Sequence, residues 1–143
     1  MFTVTVPATS ANLGPGFDTL GLALNLFLQV DVELSAHPSQ IRWQGEGKDR
    51  VEDKNSNNLL LNAMNRVFYE AGYDIPGLNL SIKNEIPIGK GLGSSAAAIT
   101  AGMIAANRIL QGRFSQKALL KWAAEMEGHA DNVIPAFYGG LTV

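Results

Sequence analysis

Pro87-Ile88-Gly89-Lys90-Gly91-Leu92-Gly93-Ser94-Ser95-Ala96 is the stretch from which the rest of the chain can be read. Glycines at alternate positions, Gly89, Gly91 and Gly93, free the backbone of Cβ atoms and let it curl tightly. Successive N–H groups of such a curl point inward and form a nest for an anion. Ser94 and Ser95 add hydroxyl donors where an Ala-rich helix, about Ser94 to Leu110, begins. The positive end of that helix favours a phosphate group. Either serine hydroxyl could also reach a magnesium ion, which prefers oxygen ligands. The Ala96-Ala97-Ala98 run lets the helix come close to its neighbours.

Two other phosphate-binding patterns do not fit. A P-loop requires Gly-Lys followed directly by Ser or Thr, whereas Lys90 is followed by Gly91. The dinucleotide fingerprint requires a further glycine where Ser94 and Ser95 stand.

Around this loop, strands and helices mix. Phe2 to Val6 alternates with β-branched residues and reads as a strand stopped by Pro7, with a small-residue loop from Ala8 to Gly16. Phe27 to Leu34 and Leu78 to Lys83 alternate apolar with polar as half-buried strands do, and Ile41 to Gln44 is a shorter strand. A polar loop covers Gly45 to Asn58. Leu60, Met64, Val67 and Phe68 recur at helical spacing, so Leu59 to Tyr69 reads as an amphipathic helix with Gly72 as its stop. Ser115 is placed to cap a third helix reaching Glu127. Ala136 to Val143 reads as the start of a strand, which suggests a chain that continues beyond Val143. The order lacks strict βαβ alternation, so the expected fold is α+β, with helices packed on one face of a mostly antiparallel sheet.

The bulk properties bound the function. The 143 residues suffice for one domain, and 46% hydrophobic with 17% charged content is that of a globular chain. A net charge of −2, with basic residues scattered, leaves no electrostatic footprint for nucleic acid or an anionic membrane. No cysteine is present, which removes disulfides and thiolate metal sites and suits a cytoplasmic protein. The N-terminus lacks the pattern of a signal peptide, and the longest apolar stretch, near Leu20 to Val30, is too short and polar to span a bilayer.

Pro-x-Gly-x-Gly-Leu-Gly-Ser-Ser-Ala, residues 87 to 96, resembles the second motif of the GHMP kinases, a family of ATP-dependent small-molecule kinases. Pro7-Ala8-Thr9-Ser10-Ala11-Asn12-Leu13-Gly14-Pro15-Gly16-Phe17-Asp18 is similar to the N-terminal motif of the branch that phosphorylates L-homoserine. Ala123 to Val133 resembles the family's helix end followed by His-x-Asp-Asn, here His129, Asp131 and Asn132. The resemblance covers essentially the whole chain and implies the ribosomal protein S5 domain 2-like fold, with residues 1–143 as the N-terminal, ATP-binding domain.

By the same resemblance, Pro87 to Ala96 hold the ATP phosphates, and Ser94 or Ser95 with Glu125 hold Mg2+. Glu127 is the less favoured acidic residue. Asn12, Asp18, His129 and Asn132 bind L-homoserine; Asn132 lies near the attacking hydroxyl, and Asp131 stands where other members place a catalytic base. Asn57 and Asn58 fall on the adenine side. The family is about twice as long, with further substrate-binding arginines in a C-terminal domain absent from this chain. The sequence leaves the oligomeric state open, a homodimer included. Two rivals remain: another kinase of the family acting on an acid such as mevalonate, and a catalytically silent binding module.

Overall fold

The computed structural model describes residues 1–11, 20–52 and 57–143. Five strands, β1 (Phe2–Ala11), β2 (Gly21–Ser35), β3 (Gln40–Gly45), β4 (Gly77–Asn84) and β5 (Leu141–Thr142), form one sheet. Its order is β1-β2-β4-β3, with β5 paired to β2. The pairings of β2 with β1, β4 and β5 are antiparallel, and only β3 runs parallel to β4. The helices are α1 (Lys48–Glu52), α2 (Leu59–Ala71), α3 (Ser94–Ile109), α4 (Gln116–Glu127) and α5 (Val133–Tyr138). The expected α+β architecture is therefore present, with one crossover from β3 through α2 to β4 that supplies the parallel pair.

Period-two patterning decides which face of the sheet is covered. Val4 and Val6, Leu28, Val30 and Val32, and Leu80 and Ile82 are buried. Their neighbours Thr3, Thr5, Gln29, Ser81 and Lys83 are exposed on the opposite face. A full apolar side chain removed from water contributes about 1.5–3 kcal/mol, so this one face anchors the helical layer.

Helix α3 occupies the middle of that layer. It touches β1, β2, α2, α4 and α5, and residues from Ala96 to Ala106 are buried around most of its circumference. A helix enclosed on all sides needs no polar face, and small side chains bring its neighbours close. Gly102 marks the tightest approach: a Cβ there would lie 2.3 Å from the Leu60 carbonyl oxygen and 2.8 Å from Ala63 Cβ on α2.

The helix boundaries follow their caps. Asn58 accepts a hydrogen bond from Leu61 N at the start of α2, and Ser115 accepts one from Ala118 N at the start of α4. Gly72 (φ +60°) closes α2 in the left-handed conformation that a helix C-terminus commonly uses.

Three local expectations are corrected. β1 does not stop at Pro7 but runs on to Ala11, with a register shift between Pro7 and Ala8. As an edge strand with a bulge it tolerates the missing N–H. The supposed loop after Gly45 contains α1. Val133–Tyr138 is helical, so the end of the chain is strand only at Leu141–Thr142. Pro135 lies in the first turn of α5, where N–H groups have no intrahelical acceptor and proline is accommodated.

Two substitutions test this packing. Gly102→Val should force α2 from α3 and lower stability by about 1–3 kcal/mol in chemical denaturation. The Thr100 hydroxyl of α3 is buried with no hydrogen-bond partner among the described residues. Thr100→Val, of nearly equal shape, should therefore raise stability by about 1 kcal/mol.

Candidate active site

The turn after β4 is fixed before the glycine loop begins. Asn84, nearly buried, donates from Nδ2 to the Glu46 carbonyl (3.1 Å) and accepts at Oδ1 from Ile86 N (3.0 Å). Beyond it Gly89, Gly91 and Gly93 all take left-handed φ values of +72°, +71° and +69°. These values favour glycine strongly. At Gly93 space forbids a side chain as well, since a Cβ would sit 2.0 Å from Thr9 Oγ1.

Gly93 is also the N-cap of α3, and it has no side chain to offer. Among the described residues no side chain caps that helix. The first-turn N–H groups of α3 thus remain available, unlike those of α2 and α4, and they open on a cavity. Its volume is about 850 Å³, within the range of small-molecule and cofactor sites. Pro87, Ile88, Gly89, Gly91, Leu92, Gly93, Ser94 and Ser95 line it, as do Asn57, Asn58, Glu127 and Asn132. Trp43, Leu59 and Ile88 supply apolar wall, and Asn57 accepts a hydrogen bond from the Asn62 amide. Of the predicted loop residues, Lys90 is exposed and Ala96 is buried in the core, so neither lines the cavity.

At the mouth of α3 the Ser95 hydroxyl lies 2.6 and 2.8 Å from the two carboxylate oxygens of Glu127. Glu127 is the last residue of α4, where Gly128 (φ +95°) turns the chain. Glu127, rather than the Glu125 favoured from the sequence, is the carboxylate beside Ser95. Glu125 is exposed and pairs with Arg66 of α2 at 3.3 Å, outside the cavity. With about 100° of rotation per residue, positions two apart on a helix face different ways, and α4 turns Glu127 inward. Burial periodicity near a helix end does not separate the two; the position of Ser95 across the helix pair does.

Asp131 is mostly buried, yet it does not line the cavity. Its Oδ1 accepts from Asn132 N (2.9 Å) and lies 2.9 Å from His129 Nδ1. This carboxylate therefore braces the turn before α5. His129 is exposed and lies outside the cavity formed by the described residues. Asn132 does line it, with Oδ1 accepting a 2.8 Å hydrogen bond from the buried Thr9 hydroxyl. Asn12 and Asp18 lie outside the described residues. Sequence reading passed over Thr9, whose only signal was its place in the N-terminal motif.

Carboxylate and hydroxyl oxygens are the donors magnesium selects, and Ser95 with Glu127 fit that ion. No group of three or more His, Cys, Asp or Glu that could hold a metal exists among the described residues. A magnesium ion here would therefore complete its shell with water and phosphate oxygens. No helix of the described residues is long and apolar enough to cross a membrane.

Comparison with known proteins places the fold in a family. The GHMP kinases N terminal domain matches residues 58–140. The homoserine kinase of Caldanaerobacter subterraneus subsp. tengcongensis is 47% identical over 143 residues, covering 100% of this chain and 46% of that protein. The homoserine kinase of Leifsonia xyli is 47% identical over 145 residues, covering 98% of this chain and 44% of the relative. The chain thus spans about half the length of the relatives it matches. The crystal structure of homoserine kinase from Cytophaga hutchinsonii superposes with a TM-score of 0.77 at 34% identity, over 97% of this chain and 47% of that one. Mevalonate kinase from Methanococcus jannaschii, at 17% identity, shares the fold with a TM-score of 0.75 over 98% of this chain and 52% of its own.

Two glycine substitutions separate the requirements of the loop. Gly93→Ala should weaken binding of a non-hydrolysable ATP analogue at least about 10-fold in calorimetry, because backbone strain of roughly 1–2 kcal/mol adds to the collision with Thr9. Gly91→Ala, whose Cβ would meet nothing within 4 Å, should carry the strain alone and lose less.

Proposed function

The chain belongs to the GHMP kinases, and from that premise we propose that it is the N-terminal, nucleotide-binding part of a cytoplasmic enzyme that phosphorylates the side-chain hydroxyl of L-homoserine with ATP. The single observation that carries the catalytic reading is the pairing of Ser95 with Glu127 at the uncapped start of α3, on the wall of a cofactor-sized cavity. A phosphate-binding nest needs no carboxylate beside it unless a cation sits between them. The same pairing disfavours a silent binding module.

In this reading the backbone N–H groups of Gly91 to Ser95 hold the phosphates, and the apolar wall of Trp43, Leu59 and Ile88 takes the base. Ser95 and Glu127 hold Mg2+, with Ser94 beside them. The ion supplies charge neutralisation on the transferring phosphoryl group. Asn132, beside the glycine loop, faces the acceptor hydroxyl, and Asn12, Asp18 and His129 are the remaining candidates for binding the amino acid. The acceptor oxygen bonds to the γ-phosphorus as the bond to the β,γ-bridging oxygen breaks. ADP leaves with that electron pair, and the hydroxyl proton passes to solvent. Positioning and charge stabilisation dominate such a transfer, which is consistent with Asp131 being engaged in the turn rather than free as a base.

The acceptor assignment rests on the homoserine kinases that the chain resembles, each matched over about half its length. With the full-length enzyme, homoserine should be preferred in a panel of small alcohols; preferential turnover of mevalonate would contradict the assignment. Glu127→Gln should lower kcat by about 100-fold or more at fixed Mg2+. Glu125→Gln, which removes only an exposed ion pair, should stay within about 2-fold of the unaltered enzyme. The reverse order would return the metal role to Glu125.

A further inference from the structure

Asn132 stands at the N-cap of α5, a position at which asparagine ordinarily bonds the first-turn N–H groups of its own helix. Among the described residues it makes no such bond. Its amide is turned instead toward β1, where Oδ1 accepts from Thr9 Oγ1 at 2.8 Å. Thr9 is completely buried. Its backbone N–H is also bound, to the Leu92 carbonyl of the glycine loop at 2.9 Å. The absence of a Cβ on Gly93 leaves room for this hydroxyl, since that atom would meet both Thr9 Oγ1 and, at 3.3 Å, Asn132 Oδ1.

We propose that Thr9 is a positioning residue, which commits the Asn132 amide oxygen and so presents only N–H donors to the cavity beside the phosphate loop. A side-chain amide has one acceptor and two donors, and either end can be turned to a ligand. With Oδ1 held by a buried hydroxyl, only the Nδ2 end remains for the ligand. An N–H donor engages a lone pair of the acceptor hydroxyl and fixes its orientation, leaving another lone pair for attack. Turned the other way, the amide would accept that hydroxyl's proton and orient it differently. Thr9 thereby joins acceptor geometry to the loop through two of its own atoms, one on the loop and one on Asn132.

This inference rests on the phosphoryl-transfer reading, and the experiment separates the two. In the full-length enzyme Thr9→Val preserves shape and the backbone bond to Leu92 but removes the hydroxyl, whereas Thr9→Ser keeps it. Thr9→Val is expected to lower kcat by roughly 10–100-fold, with the KM for ATP and the thermal midpoint near those of the unaltered enzyme. Thr9→Ser should recover to within about 3-fold. In an Asn132→Ala background Thr9→Val should add less than about 3-fold, because its effect runs through the amide already removed. An equal loss with and without Asn132, or a Thr9→Ser enzyme as impaired as Thr9→Val, would overturn the proposal. If the unaltered enzyme does not turn over homoserine, the acceptor reading alone falls. The 15N-correlated side-chain amide signals of Asn132 then decide about Thr9: displaced signals in Thr9→Val support the positioning role, and unchanged signals reject it.

Discussion

Three segments distant in sequence meet at the side chain and backbone of Thr9. β1 brings the residue, the glycine loop brings the Leu92 carbonyl, and the start of α5 brings the Asn132 amide. A buried hydroxyl without a partner would be unfavourable by about 1–3 kcal/mol, so this contact stabilises the fold and fixes the site together. Glycine at position 93 is required from two sides, by its positive φ and by the Thr9 oxygen where a Cβ would fall. The cavity wall at Gly93 is consequently constrained by β1 as well as by its own backbone.

Helix α3 links that junction to the core. Its small side chains let the sheet and three helices enclose it, so its axis has little freedom. Its N-terminus, however, is left without a side-chain cap among the described residues. Two of the helices packed beside it, α2 and α4, each have a capping side chain. An uncapped end forgoes up to about 1–2 kcal/mol of local stability, which a bound anion can restore through the same N–H groups. The deficiency lies where Ser95 and Glu127 converge. Local instability and binding capacity are thus two aspects of one arrangement.

Much of this was legible from residues alone, and the exceptions have physical causes. The glycine loop, the helix after it, the caps at Gly72 and Ser115 and the alternating strands Phe27 to Leu34 and Leu78 to Lys83 follow from local rules, and the structure agrees. Pro7 misled because a proline in an edge strand need not end it when the register shifts beside it. The last segment misled because a six-residue helix, Val133–Tyr138, is too short to show a helical period, and the strand behind it is only Leu141–Thr142. The choice between Glu125 and Glu127 depends on which face of α4 meets α3, a tertiary fact. Arg66 draws Glu125 to α2, and Ser95 receives Glu127. Thr9 carried no signal beyond its place in the N-terminal motif, since the partner of its hydroxyl lies on a distant segment.

Central to the account is that the phosphates lie against the uncapped start of α3 with a cation between them and the Ser95–Glu127 pair. A crystal structure of the full-length enzyme with a non-hydrolysable ATP analogue and Mn2+, located by its anomalous signal, measures this directly. The account predicts the β- and γ-phosphates within hydrogen-bond distance of backbone N–H groups between Gly91 and Ser95, and the metal bound by Ser95 and Glu127. A metal at Glu125, or phosphates seated away from Gly91 to Ser95, would contradict it.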